Sequence, residues 1–273
     1  MATNPILVIG GLKIYPYGLF IAIGLLACIL VFYFLGKKMG MPIEVRDFVF
    51  FVLLGGLATG FFFAKVFQAF YDWLAGRPFD ILGSGLTVMG GLIGGAGMFL
   101  LLYFTIGKFY FKGEKKNWHI KYFNTLFRIA PICIVIAHGF GRLGCLMAGC
   151  CHGYETASGG IWMITPDEGE GFFVPTQLYE ALFLFVLAGL MTFLLFKRCN
   201  IIMSVYLILY GIWRFIIEYF RHDYRGGLPG LTPSQGMSIA FVAMGIALII
   251  VYLIVKLPIV IKREKQEDDK LEN

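Results

Sequence analysis

Ala137-His-Gly-Phe-Gly-Arg-Leu-Gly-Cys-Leu-Met-Ala-Gly-Cys-Cys-His-Gly153 begins inside an apolar run and ends in a polar connection. It holds one arginine, two histidines, three of the chain's six cysteines and five glycines. An arginine inside a run long enough to cross a bilayer is costly unless it meets a counter-charge or an anionic ligand. Glycines let a second helix, or a ligand, come close to the backbone. The stretch therefore points to a helix bundle built around a polar site.

Working outward, the rest of the chain supplies that bundle. Of 273 residues, 59% are hydrophobic and only 15% charged, and the mean hydropathy is +0.78. A water-soluble domain cannot hide so much apolar surface, so the expected class is an all-α polytopic membrane protein. Seven runs reach the roughly 20 residues a spanning helix needs, at about 15–36, 48–71, 86–106, 126–148, 179–196, 201–220 and 235–256. The third is rich in glycine (Gly90, Gly91, Gly94, Gly95, Gly97) and is compatible with a re-entrant or broken start. The first run follows no basic segment and exceeds a signal-peptide core, so an uncleaved first span is expected. No internal repeat is visible. The expected organisation is a single transmembrane bundle over 1–258, with an external loop at 149–178 and a polar cytoplasmic tail at 259–273.

The basic residues set the orientation. Lys37, Lys38, Arg46, Lys108, Lys112, Lys115, Lys116, Lys121, Lys197, Arg198, Lys256, Lys262, Arg263, Lys265 and Lys270 fall on one side, and only Lys13, Arg77, Arg221 and Arg225 on the other. By the positive-inside rule the N-terminus is outside and the C-terminus inside. The net charge of +6 is accounted for by topology and implies no nucleic-acid partner. The external loop carries Asp167, Glu168 and Glu170 but no lysine or arginine. It reads equally as a lid and as a linker.

With the topology set, the intramembrane polar residues share one level, the outer leaflet. Tyr17 opens the first run, Lys65 lies late in the second, and Met89 and Gly90 open the third. Arg142 lies late in the fourth, Tyr179 and Glu180 open the fifth, Tyr210, Arg214 and Glu218 end the sixth, and Gln235 opens the seventh. Tyr210, Arg214 and Glu218 stand at i, i+4 and i+8 and share a helix face, as do His138 and Arg142. Arg214 and Glu218 read either as a neutralising pair or as part of a site. Arg142, Arg214 and Lys65 outnumber Glu180 and Glu218, and an anion such as a lipid phosphate would complete the balance.

The cysteines add a second pattern. Cys145, Cys150, Cys151 and His152 are compatible with a disulfide, a metal site or a reactive thiol, with a loop-shaping disulfide the leading reading. Cys28, Cys133 and Cys199 read as apolar packing residues.

Six pieces carry a family resemblance: Tyr15-Pro-Tyr-Gly-Leu-Phe20, Gly90-Gly-Leu-Ile-Gly94, Gly141-Arg-Leu-Gly144, Pro175-Thr-Gln-Leu-Tyr-Glu180, Tyr210-Gly-Ile-Trp-Arg-Phe-Ile-Ile-Glu-Tyr-Phe-Arg221 with Asp223, and Ser234-Gln235. In this order they resemble the bacterial prolipoprotein diacylglyceryl transferases, seven-helix enzymes of the cytoplasmic (inner) membrane. The resemblance implies transfer of the diacylglyceryl group of phosphatidylglycerol, or another anionic phospholipid, to the lipobox cysteine of a preprolipoprotein signal peptide, with no cofactor. It implies Arg142 and Arg214 as catalytic phosphate binders. Tyr17, Gly90, Gly91, Gly153, Gln177, Tyr179, Glu180, Tyr210 and Glu218 follow as substrate-binding residues. The chain departs from the family's usual pattern at Met89 and Val174, where histidines are expected, at Cys145 for asparagine, at Cys150 for glutamate, and at Phe61 for arginine, with Lys65 one turn on. Methionine cannot move a proton, so His138 becomes the candidate base, the alternative being a histidine hydrogen-bonded within the bundle. Two rivals stay open: the same fold with another acceptor or cysteine-based chemistry, and a non-catalytic protein that binds anionic lipid.

Overall fold

The computed structural model describes residues 7–271 apart from 11, 75, 84, 86, 158, 166–167 and 222–230, and for 7, 9, 12, 88, 89 and 257–271 it describes the backbone alone. Seven helices follow one another: α1 (Pro16–Lys38), α2 (Ile43–Leu74), α3 (Val88–Tyr110), α4 (Trp118–Met147), α5 (Thr176–Phe196), α6 (Ile202–Ile217, extended by a 3-10 turn Glu218–Phe220) and α7 (Pro233–Leu271). All seven are long and apolar enough to cross a membrane. Many large side chains face outward, among them Leu30, Phe193, Ile254 and Val186, the last 73% exposed. Such a surface suits lipid and not water.

The helices outrun the apolar stretches that announce them. α4 starts at Trp118 instead of about 126, because Trp118-His-Ile-Lys121 is helical without being apolar. α7 likewise continues as helix through the polar tail to Leu271. α3 is not broken or re-entrant but an unbroken helix from Val88. The 149–178 connection is more than a loop. It contains an antiparallel hairpin of β3 (Ile161–Thr165) and β4 (Gly169–Phe173), in register from Ile161↔Phe173 to Thr165↔Gly169, and the first turn of α5. A second small hairpin, β1 (Leu7–Ile9) with β2 (Leu12–Ile14), precedes α1.

The chain divides into two compact units, residues 32–127 and residues 1–31 with 128–273. In the first, α2 and α3 meet along paired small-residue ridges. Gly56-x-x-x-Gly60 lies against Gly91-x-x-x-Gly95: a Cβ on Gly60 would stand 3.2 Å from the Gly91 carbonyl oxygen, and one on Gly95 would stand 3.2 Å from that of Gly56. Backbones this close exclude any larger side chain, and the packing holds without a hydrophobic driving force between the helices. This explains why α3 stays helical despite its glycines. Lys65 on α2 donates to the Leu82 carbonyl oxygen at 3.0 Å.

The other unit holds α4 from Arg128, α5, α6, α7 and the first part of α1. Ile129, Ile132 and Val135 of α4 and Leu184, Met191 and Leu195 of α5 are fully buried. Gly211 seats α6 on α7, since a Cβ there would meet the Ser238 carbonyl oxygen at 2.9 Å. Arg128 is buried, but its guanidinium serves a helix end: Nε donates to Cys199 O at 3.0 Å and Nη2 to Leu195 O at 3.4 Å. It thereby braces the end of α5 and the turn that follows it.

The glycine contacts make a contrasting pair. Gly95→Leu is expected to lower the thermal unfolding midpoint in detergent clearly. Gly97→Leu, where a Cβ meets nothing within 4 Å, is expected to leave it unmoved or raise it slightly. Differential scanning fluorimetry of the two variants checks this.

Candidate active site

In the unit that carries them, α1, α5 and α7 begin where α4 and α6 end, and the polar residues of those five ends come together. The centre is Glu180 in the second turn of α5, 1% exposed. Its Oε2 lies 2.7 Å from Arg142 Nη2 on α4 and 3.6 Å from Arg214 Nη1 on α6. Its Oε1 accepts from the Tyr210 hydroxyl at 3.1 Å and lies 3.7 Å from His138 Nε2. The His138 ring packs edge-on to Tyr210 with centroids 5.3 Å apart, and its side chain is 31% exposed. One carboxylate thus links four side chains from two other helices.

Arg214 is held on its far side by the start of α7. Its Nη2 lies 2.9 Å from Glu218 Oε2, one turn on, and its Nε donates to Ser234 Oγ at 2.9 Å. That serine is fixed by a capping box. The Thr232 hydroxyl accepts from the Gln235 backbone N–H at 3.2 Å, and Gln235 Oε1 accepts from the Thr232 N–H at 3.1 Å, with Pro233 at the first helical position. The Thr232 hydroxyl also donates to Glu218 Oε1 at 3.0 Å. Sequence reading missed Thr232 and gave Ser234 no role, although Thr232-Pro-Ser-Gln235 is a legible helix-start signal.

The cysteine loop forms the other wall. α4 closes in a Schellman turn, with Cys150 N–H donating to Cys145 O at 3.1 Å and Gly149 N–H to Leu146 O at 3.1 Å. Gly149 has φ +63°, and a Cβ there would run into the Ile164 carbonyl of β3, so glycine is required. Cys151 also takes a positive φ, of 64°. The start of α5 clamps the loop: Gln177 Nε2 donates to Cys150 O at 2.6 Å, the Thr176 hydroxyl to Cys151 O at 2.9 Å, and Gly153 N–H to Val174 O at 2.8 Å. All six cysteines are free thiols, and the sulfurs of Cys145, Cys150 and Cys151 lie within 4.8 Å of one another. The Cys150 thiol donates to Cys145 O, and its neighbours Cys145 and Cys151, with burial, push its pKa far up. Hydrogen bonds from Cys145 and Cys150, helped by the Arg221 guanidinium, hold Cys151 far below the usual thiol range.

Several of the residues expected to bind substrate also have contacts within the fold. Gln177, fully buried, and Gly153 shape the cysteine loop; a Cβ on Gly153 would meet Val174 at 2.9 Å. Tyr179 is 41% exposed. Gly90 and Gly91 belong to the 32–127 unit, where Gly90 faces Phe67 of α2. Lys65 belongs to that unit as well. Arg221 lies near enough to act electrostatically on Arg142 and is hydrogen-bonded to Cys151. Tyr17 is 43% exposed at the start of α1 and packs on Gly144, whose Cβ would lie 3.3 Å from its ring. His152 turns Nδ1 to the Gly153 carbonyl at 2.8 Å and rests on Phe173. Met89 falls in the first turn of α3, and its side chain, with Asp167, Asp223 and Arg225, lies outside the described residues.

A cluster of buried arginines tied to a shared carboxylate at one end of a lipid-facing bundle suits an anionic headgroup. The family model for prolipoprotein diacylglyceryl transferase matches residues 5–251. The chain belongs to that family. It is similar to the phosphatidylglycerol–prolipoprotein diacylglyceryl transferase of Clostridium tetani, 33% identical over 86% of this chain and 92% of the relative. It is also similar to phosphatidylglycerol–prolipoprotein diacylglyceryl transferase 2 of Clostridium perfringens, 33% identical over 87% and 91%. A transferase of Dehalococcoides mccartyi is 29% identical over 87% and 89%. This family member is therefore a multi-pass membrane protein and a transferase.

Glu180→Ala would leave two buried guanidinium groups short of their shared counter-charge, which costs about 3–5 kcal/mol for a buried pair. A marked drop in unfolding midpoint is the expected outcome. Lys115→Ala, which breaks the exposed pair with Glu44 at 2.8 Å, is expected to leave the same transition in place.

Proposed function

We propose that this chain moves the diacylglyceryl group of phosphatidylglycerol to the lipobox cysteine of a preprolipoprotein, and that the Arg142–Glu180–Arg214 cluster is where it does so. The observation that carries the assignment is the shared carboxylate. Glu180 holds two guanidinium groups side by side, while Arg142 Nε and Arg214 Nη1 form no hydrogen bond with any described protein group. Arginine's planar fork matches phosphate oxygens, and these remaining donors suit an anion.

In the transfer, the acceptor sulfur attacks the glyceryl carbon that bears the phosphate ester. A C–S bond forms, the C–O bond breaks, and its electron pair leaves on the oxygen of glycerol phosphate. Arg142 and Arg214 bind the phosphate and stabilise the charge that grows on it. Glu218 and Ser234 hold Arg214 in place. Tyr210 positions Glu180, and Tyr17, at the exposed rim, donates to the headgroup. The acceptor reacts as a thiolate, and His138 takes its proton. The alternation of basic residues along the chain supports a site at the outer leaflet of the bacterial cytoplasmic membrane, with the N-terminus outside.

The test is transfer from labelled phosphatidylglycerol to a lipobox peptide by purified protein in detergent. Arg142→Ala and Arg214→Ala are each expected to lower the rate by about 100- to 1000-fold, the range for losing a donor to developing negative charge. Arg142→Lys is expected to recover only part of it. A wild-type protein that retains the lipid yet labels no peptide would support a lipid-binding fold without the reaction.

His138→Ala is expected to slow turnover by about 100-fold or more, as for loss of a general base, with lipid retention unchanged. Unaltered turnover would remove His138 from the mechanism.

A further inference from the structure

We infer that Cys145, Cys150 and Cys151 form a three-thiolate site for one thiophilic d10 metal ion, with Cu(I) as the best fit. The three sulfurs lie within 4.8 Å of one another. A metal–sulfur bond of about 2.3 Å places ligand sulfurs about 4 Å apart, so the ion enters with little rearrangement. An odd set of three thiols cannot close entirely into disulfides, and all three are free.

The site is built by the fold. The Schellman turn brings Cys150 back over Cys145, and the positive φ of Cys151 turns its side chain towards the same point. Gln177 and Thr176 fix the carbonyls of Cys150 and Cys151, and Gly149 lies too close to the Ile164 carbonyl for any other residue. Among the described residues no fourth cysteine, histidine or carboxylate joins the group. His152, the nearest candidate in sequence, is not in the group. Soft thiolate ligands select Cu(I) and zinc, but zinc takes four ligands in structural sites, whereas Cu(I) accepts three. Arg221, hydrogen-bonded to the Cys151 sulfur, and Arg142, one turn before Cys145, offset the negative charge of a thiolate-bound univalent ion. Each sulfur that carries a proton releases it as the ion binds. The inference does not depend on the transfer reaction.

The full-length protein, purified in detergent under reducing, oxygen-free conditions, is titrated with Cu(I) against a chromophoric Cu(I) chelator, with Zn(II) and Cd(II) in parallel. One Cu(I) per chain is expected. In the unmutated protein the ion should shield Cys145, Cys150 and Cys151 from alkylation, read by peptide mass spectrometry. Cys145→Ser, Cys145→Asn and Cys151→Ser, checked for monodispersity, are expected to weaken Cu(I) by about 100-fold or more, at least the upper end of what outer-shell changes do. Cys28→Ser is expected to leave it unchanged. Failure to take Cu(I) from the chelator, uptake that survives Cys145→Ser with Cys151→Ser, or alkylation of the three thiols unaffected by the ion would each overturn the site. Zn(II) displacing Cu(I) would overturn the three-coordinate assignment.

Discussion

Two guanidinium groups buried among apolar helices share one carboxylate, and the polar end of the 128–273 segment is arranged around that fact. Arg142 and Arg214 sit on helices that run the same way, α4 and α6, and Glu180 sits on α5, which runs between them in sequence and in the opposite direction. A charge in such surroundings is stable only beside its counter-charge. The pairing therefore fixes the relative height of three helix ends. The capping box of α7 then sets Ser234 against Arg214, so a fourth helix is placed by the same group.

Depth and periodicity were legible along the chain, but partnership was not. The seven helices follow from apolar runs, and the shared face of Tyr210, Arg214 and Glu218 follows from their spacing. Spacing within α6 identifies Glu218 as a partner for Arg214. It says nothing of Glu180, which reaches both arginines from another helix and is the more buried of the two carboxylates. Depth alone groups Lys65 with the site, and in its own unit it donates to the Leu82 carbonyl oxygen. Height along a helix is a one-dimensional quantity, and a site needs the angle around the axis and the neighbour as well. The β3–β4 hairpin was missed for a related reason. Ile161-Trp-Met-Ile-Thr165 alternates buried and exposed positions only at Met163 and Thr165, too short a pattern to stand out beside a long polar connection.

Gln177 and Gly153 show what a motif read from sequence alone leaves open, namely the atoms that its residues touch within the fold. Both lie in pieces that carry the family resemblance. Here the Gln177 amide holds the Cys150 carbonyl, and the Gly153 N–H donates to the Val174 carbonyl, where a Cβ would leave no room. Their part is to build the wall beside the arginines. A buried amide that holds a loop carbonyl and a buried amide that holds a ligand are the same residue in a sequence; only the atom at the end of the hydrogen bond separates them.

The same wall raises an electrostatic question, because thiols stand next to arginines that have a phosphate to bind. A thiolate beside Arg142 would compete for its charge. The surroundings of the thiols differ in a way that limits this competition. The Cys150 thiol donates to the Cys145 carbonyl and its pKa is pushed up, while that of Cys151, the cysteine hydrogen-bonded to Arg221, is lowered. Arg221 lies on the segment leaving α6, tied to Gly153 through a backbone bridge, so it is held at the cysteine loop and away from Glu180. Each negative group then has its own arginine: Arg221 for the thiols, Arg142 and Arg214 for Glu180 and for the headgroup that their remaining donors can bind. The cysteine loop and the lipid site are thus electrostatic neighbours kept separate by one residue.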